Sequence, residues 1–259
     1  MVADWKRWNL TQISASDYGT DTTLTMSSPG ADVLLPDAAE SGLASLYRQR
    51  PHTVRLGMIA STDGKAAGPD GSSRTLNGPE DLRILRTLRA QADVVLVGAQ
   101  TARRERYGAI AVPAAMADQR RNGGLGAQVQ LAIVTRSGNL PLGLDPSSTW
   151  IITTAGSPAS HRLDAKWEPR IIYAGSTQAS PRTIVRELAT RGMTRLLCEG
   201  GPTLANSLLE RGLVEDYCLT TSPEPGGESA IQTPPVPDGF VLAHELIGGG
   251  FTMRRWRRK

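Results

Sequence analysis

The sequence has little sulfur and little imidazole, with two cysteines and three histidines among 259 residues. Cys198 and Cys218 are too few for a disulfide framework and form no CxxC pair, so a reducing, cytoplasmic setting is expected. His52, His161 and His244 are scattered, and the HxE plus PCxxC arrangement of zinc nucleobase deaminases does not occur. No metal is therefore expected. GxSxG is also missing, which leaves a serine-hydrolase reading without support. Met1–Asn9 holds Asp4, Lys6, Arg7 and two tryptophans instead of a long apolar stretch, so neither a signal peptide nor a membrane partner is expected.

What is present is the composition of a loop-rich globular chain: 39% hydrophobic and 21% charged residues, with 27 glycines and 17 prolines. The length permits one large or two small domains. A formal net charge of +4 invites a nucleic-acid reading until the charge is located. The last six residues, Arg254–Lys259, carry five basic side chains, so residues 1–253 sum to −1. The body is not basic, and no nucleic-acid partner is expected. A tail-borne interaction is the competing class, and it would show as salt-sensitive binding lost with the tail.

Residues 1–50 read as an N-terminal arm, Ser/Thr/Gly-rich over 14–30 and ending in a short helix from Ala38 to Tyr47. Packing on the main domain, a subunit contact and a substrate-side cover are all open to it. From Thr53 the pattern becomes regular. Val54, Leu56 and Met58 alternate as a strand, and Pro79–Ala90 reads as a helix with Leu82, Leu85, Leu88 and Ile84 inward and its arginines toward water. Val94–Val97 is an apolar run ending at Gly98, as in a central parallel strand. Further strands are expected at Leu131–Thr135, Thr149–Thr153, Arg170–Tyr173, Thr194–Cys198 and Val214–Thr221, with helices at Pro181–Arg191 and Pro202–Arg211. Phe240–Ile247 and Phe251–Trp256 flank three glycines as a final antiparallel pair. The alternation predicts a single α/β domain over 51–259: a three-layer sandwich with a mostly parallel central sheet and an antiparallel C-terminal edge.

Five segments carry candidate chemistry, and each can also be an ordinary turn or loop. Ser61-Thr62-Asp63-Gly64-Lys65 follows a strand and offers an oriented carboxylate and ammonium. Ser73, Arg74, Thr75 and Asn77 add polar groups that either bind substrate or stabilise the loop. Val97–Thr101 follows the most apolar strand and can place backbone N–H groups of Gly98 and Ala99 near a phosphate, with Arg103, Arg104 and Arg106 as an electropositive rim. Neither GxGxxG nor GxxxxGK[ST] is formed there. Thr135-Arg136-Ser137-Gly138 offers two hydroxyls and a fixed cation. Cys198-Glu199-Gly200-Gly201-Pro202-Thr203-Leu204 joins a buried strand to a helix and is the strongest phosphate-site candidate.

In their order, SxDGK at 61–65, Asn77-Gly78-Pro79-Glu80-Asp81, Asp93–Thr101 and Glu199–Leu204 continuing through Leu209 and Gly212, these residues resemble the reductase domain of bacterial riboflavin biosynthesis proteins. That family has a dihydrofolate-reductase-like fold, and the resemblance covers residues 51–254. It implies NADPH-dependent reduction of the ribosyl part of 5-amino-6-(5-phosphoribosylamino)uracil, or a closely related pyrimidine, to the ribityl counterpart, with the base left unreduced. It further implies Asp63 and Lys65 as catalytic and substrate-side residues, with Arg104 and Glu199 also toward substrate. Thr75, Gly98, Ala99 and Thr101 would approach the cofactor, and Thr135 and Ser137 the adenosine-ribose phosphate. Glu199, Gly200, Gly201 and Thr203 would surround the cofactor phosphates. A homodimer is implied as well. The chain departs from the family at Thr101–Tyr107, where an acidic ADDP-like segment is usual, and it shows no deaminase domain of the bifunctional relatives. Reduction of dihydrofolate or another pteridine is the alternative activity, and a noncatalytic NADPH-binding protein is the alternative class.

Overall fold

A computed structural model describes residues 22–27 and 33–259. Most of the Ser/Thr/Gly-rich stretch 14–30 lies outside the described residues. Eleven strands form one sheet. They are β1 (Leu24–Met26), β2 (Val33–Leu34), β3 (Thr53–Ala60), β4 (Val94–Gly98), β5 (Gln130–Val134), β6 (Thr149–Thr153), β7 (Ile171–Tyr173), β8 (Arg195–Cys198), β9 (Asp216–Thr221), β10 (Phe240–Gly248) and β11 (Phe251–Arg258). The spatial order is β2-β1-β10-β11-β9-β3-β8-β4-β5-β6-β7. From β9 through β7 all neighbours are parallel, whereas β9, β11, β10, β1 and β2 pair antiparallel. This is the expected three-layer α/β arrangement.

Helices cover both faces: α1 (Ser41–Leu46), α2 (Pro79–Ala90), α3 (Ala99–Arg104), α4 (Ala114–Asn122), α5 (Ala159–Arg162), α6 (Pro181–Ala189) and α7 (Pro202–Glu210). Because successive strand side chains point to opposite faces, β4 feeds two cores. Val95 and Val97 join Ile84 and Leu88 of α2 on one face. Val94 and Leu96 join Ile184 and Leu188 of α6 and Leu208 of α7 on the other. Local signals set the helix starts. Pro79 and Pro181 occupy the first turns of α2 and α6, and Ser180 accepts a hydrogen bond from the Thr183 N–H at 3.4 Å. Within the described part of residues 1–50, β1 and β2 extend the sheet, Thr25 and Met26 pairing with Ile247 and Leu246, and α1 packs beside α2.

Two expectations are corrected. The α2 arginines do not face water; Arg83, Arg86 and Arg89 are all buried. Arg83 forms a two-point ion pair with Glu40 at 2.6 and 2.8 Å and also donates to the carbonyls of Thr22 and Leu34, so a cation inside the helix gathers three parts of the preceding chain. The basic C-terminus is not an extension either. It forms β11, between β10 and β9, and Arg255 is buried against Asp216, which also holds Arg55. The alternation of Phe251 and Met253 continues inward through Arg255, whose charge is accepted only because a buried carboxylate opposes it.

Candidate active site

Strands β3, β4 and β8 end together, and a cleft of about 270 Å³ opens at their carboxyl ends, as parallel α/β sheets dictate where neighbouring connections diverge. Met58 and Ile59 of β3 and Leu219 of β9 give it apolar surface. Asn77 and Asp81 come from the entry to α2, Thr101 and Arg104 from α3, and Glu199 and Gly201 from the turn after β8. Ser229, Ala230 and Ile231 of the long loop between β9 and β10 close one side.

The turn after β8 reaches across to β4. The Gly98 N–H donates to the Gly200 carbonyl at 2.8 Å, and a Cβ added to Gly201 would lie 2.7 Å from Thr101 Oγ1. Only glycine fits that approach. The Gly200–Gly201 peptide is cis, and α7 begins immediately afterwards. This is a cradle of backbone lined up with a helix amino terminus, the geometry that receives phosphate groups.

Behind the turn, Glu199 is held by Arg89 through Nε at 2.7 Å and Nη2 at 2.6 Å, and by the Tyr107 hydroxyl. Burial alone would lower the Arg89 pKa, but the charge and hydrogen bonds of Glu199 reverse this and hold it above the usual arginine value. Burial, reinforced by Glu199, keeps Tyr107 protonated far above the ordinary phenol range. Glu105 accepts the Ser73 N–H at 2.8 Å and lies 3.8 Å from Arg74; burial raises its pKa against these stabilising partners.

Asp81 is the most perturbed carboxyl in the cleft. Burial is the main cause, Glu199 and Glu80 add to it, and the Thr220 hydrogen bond and Arg89 oppose it, leaving the group at about 6. Asn77, with its amide turned to satisfy its neighbours, donates to Ser73 O at 3.2 Å and to Asp81 Oδ2 at 3.3 Å.

Asp63 and Lys65 stand beside the cleft and do not line it. Asp63 accepts from Ser61 Oγ at 2.6 Å and from the Gly226 N–H at 2.8 Å, and these two bonds lower its pKa. Lys65 donates to Gly227 O at 2.9 Å and lies 3.5 Å from Asp63. Together they fasten the loop that supplies Ser229–Ile231. Of the other expected residues, Thr101, Arg104, Glu199 and Gly201 line the cleft, while Gly98, Ala99 and Gly200 form its strand-end support. Thr203 is exposed in the first turn of α7. Thr75 is turned toward Asp70, with 3.1 Å between the side-chain oxygens. Thr135 lines a separate cavity of about 250 Å³ with Arg136, Thr153 and Thr154; Ser137 lies next to it and accepts the Asn139 N–H.

Sequence reasoning did not single out Asp81, Arg89, Tyr107 or Thr220 as site residues. An acidic residue in a first helical turn reads as a partner of the helix dipole, and an arginine among leucines reads as a solvated face. Nothing local marks Arg89 as buried, since its partner Glu199 lies 110 residues away.

Comparison with known proteins agrees with this architecture. A 2,5-diamino-6-ribosylamino-4(3H)-pyrimidinone 5′-phosphate reductase of Methanothermobacter thermautotrophicus is 28% identical over 178 residues, which is 67% of this chain and 78% of that protein. The protein of the same description from Archaeoglobus fulgidus is 25% identical over 178 residues, covering 67% and 81%. A pyrimidine reductase-like protein from Corynebacterium diphtheriae shares the fold, with a TM-score of 0.68 at 24% identity over 81% of this chain and 92% of that one. The family model described as the RibD C-terminal domain matches residues 52–246, three quarters of the sequence, and the chain belongs to that family.

Proposed function

We propose that this protein is an NADPH-dependent reductase that converts the ribosyl group of a 5-amino-6-ribosylaminopyrimidine 5′-phosphate into a ribityl group. One observation carries the reading: the strand ends that form the glycine cradle also form a cleft with a polar floor, so a dinucleotide and a heterocycle can meet at Gly201. Family membership and the reductase names of the archaeal relatives point the same way.

The residues present fit such a cofactor. Gly98, Ala99, Thr101, Gly200, Gly201 and Thr203 would hold its phosphates, and the open approach at Gly201 would be filled by any side chain. Thr135, Ser137 and Arg136 would take the adenosine-ribose phosphate, Arg136 supplying charge and the hydroxyls hydrogen bonds. When bound, the reduced nicotinamide supplies a hydride to C1 of the opened sugar. The chain's own residues align the reactants and exclude water, which can lower the barrier without a protein nucleophile. Arg104, which has no hydrogen bond or ion pair among the described residues, is exposed at the cleft mouth and suited to the substrate phosphate. Lys65 and Asp63 act on the substrate through the loop they fasten, and Glu199, engaged by Arg89 and Tyr107, shapes the wall between the two ligands. The reading includes a cytoplasmic homodimer, tested by solution mass.

NADPH oxidation followed by absorbance, with product identification, tests the activity. Turnover dependent on a ribosylaminopyrimidine phosphate is expected. Folded protein that oxidises no NADPH with such a substrate would overturn the proposal. Lys65→Met is expected to raise KM or lower kcat with folding intact, and unchanged kinetics would remove Lys65 from the substrate side.

A further inference from the structure

A second cavity, of about 460 Å³, lies at the amino ends of β3 and β8, where α1, α2 and α4 all terminate. That volume is in the range of small-molecule sites, and no residue of its wall belongs to the cleft. Helix carboxyl ends carry partial negative charge, which by itself repels an anion. Here those carbonyls are already engaged. Arg120 donates to Ala90 O and Ala92 O at 2.9 Å each, Gln91 Nε2 to Ala44 O at 3.1 Å, and Arg195 Nη2 to Gly123 O at 2.8 Å.

What remains on the wall is cationic and polar. Arg48 and Arg50 are exposed there, and their guanidinium groups have no hydrogen bond or ion pair among the described residues. Among those residues no carboxylate lines the cavity. The acidic groups nearby are Asp93, 3.9 Å from Arg195, and Asp37, which accepts from the Ser41 hydroxyl at 3.4 Å, so four arginines outweigh two carboxylates. Gln49, 4% exposed, is also on the wall. Its Nε2 donates to Thr53 O and Leu196 O at 3.2 Å each, and its Oε1 has no partner among the described residues. A buried acceptor left unpaired is costly, which favours a ligand rich in donors. No aromatic side chain of the described residues lines the cavity, so it offers no aromatic face on which a base could stack.

We propose that this cavity is a second ligand site and that it takes a phosphorylated sugar or polyol. The phosphate engages Arg48 and Arg50 in charge-assisted hydrogen bonds. The hydroxyls, which donate as well as accept, meet the amides of Gln119 and Asn122 and the polar wall around Gln49. A bare anion uses only the arginines, and an uncharged sugar only the amides. The site is independent of the reductase reading, because it shares no wall with the cleft.

The test is calorimetric titration of the full chain with glucose 6-phosphate, and separately with glucose and with inorganic phosphate, in the presence of excess NADPH. Glucose 6-phosphate should bind with a Kd of about 1 mM or tighter, and each half at least about tenfold more weakly. Hydrogen exchange should slow in residues 41–51 and 119–125 and stay unchanged in residues 200–204. Arg48→Ala combined with Arg50→Ala should weaken binding by about tenfold or more. Ser45→Trp keeps both arginines but fills the cavity, and should abolish binding, which a merely electrostatic attraction to the surface would survive. No binding of glucose 6-phosphate, equal affinity for inorganic phosphate, protection at residues 200–204 instead, or binding unchanged in both variants would overturn the proposal. A change of solution mass in Ser45→Trp with no binding by wild type would assign this face to a subunit contact and overturn it as well. NADPH oxidation by the arginine variant should match wild type, so failure of this site and failure of the reductase reading are separate results.

Discussion

Single residues in this protein are perturbed where charges have been taken out of water. Glu199 is the clearest case, because its carboxylate is shared between a two-point arginine contact and a tyrosine hydroxyl. Removing its charge strands Arg89 in the interior. Glu199→Gln is expected to lower unfolding free energy by about 3–5 kcal/mol, read by chemical denaturation, and Glu199→Met combined with Arg89→Met should recover much of it. A Glu199→Gln midpoint equal to wild type would show that the pair contributes nothing. Asp81 works in the opposite direction. Its folded pKa of about 6 stands above the unfolded value of 3.8, so the folded state bears a penalty that is full above pH 6 and absent below about pH 4. Asp81→Asn should therefore stabilise the fold at pH 8 by up to ~3 kcal/mol, with the gain fading as pH falls through 6. A gain independent of pH would place its origin elsewhere.

At the scale of elements, the turn after β8 and the entry to α2 shape the site. In Gly201→Ala the new methyl meets Thr101 Oγ1 at 2.7 Å, so NADPH affinity measured by calorimetry should fall by about tenfold or more, with partial recovery on adding Thr101→Ala. Unchanged affinity would remove this turn from the cofactor site. The helix α2 also fixes the preceding segment through Glu40 and Arg83, both 1% exposed. Glu40→Ala should cost about 3–5 kcal/mol and raise hydrogen exchange in residues 33–50, because Arg83 loses its carboxylate. Exchange confined to wild-type levels would contradict that role.

Much of this element layer was legible in sequence. Proline at a first turn and leucine spacing mark α2, and the apolar runs of β4 and β8 mark strands buried on both faces. α4 was not legible, because its nine residues carry no apolar stripe and bury only Met116 and Arg120. The β10–β11 pair was legible, whereas the basic residues that end β11 were read as a tail because arginine occupies an inward position of an otherwise ordinary alternation. The glycine turn and Arg104 could be named from the chain, whereas Asp81, Thr220 and the Glu199–Arg89 pair depend on contacts between distant segments that no local pattern records.

For the whole molecule, the parallel and antiparallel halves of the sheet have different tasks. The parallel strands deliver the cradle and the cleft at their carboxyl ends. The antiparallel strands β9, β10 and β11 carry the cleft's Leu219 and Thr220 wall, and the loop between β9 and β10 is fastened by Asp63 and Lys65. The positive charge that the sequence concentrates at its end is incorporated into this second half, opposed by Asp216 and Glu245. The central claim is that this one cleft reduces a sugar and leaves its base untouched. It is tested most directly with NADPH deuterated at the transferable position of nicotinamide C4, each ribosylaminopyrimidine phosphate and, in parallel, dihydrofolate. Product mass and fragmentation should place one deuterium at C1 of the ribityl chain. Deuterium in the heterocycle, or oxidation of NADPH only with dihydrofolate, would contradict the account.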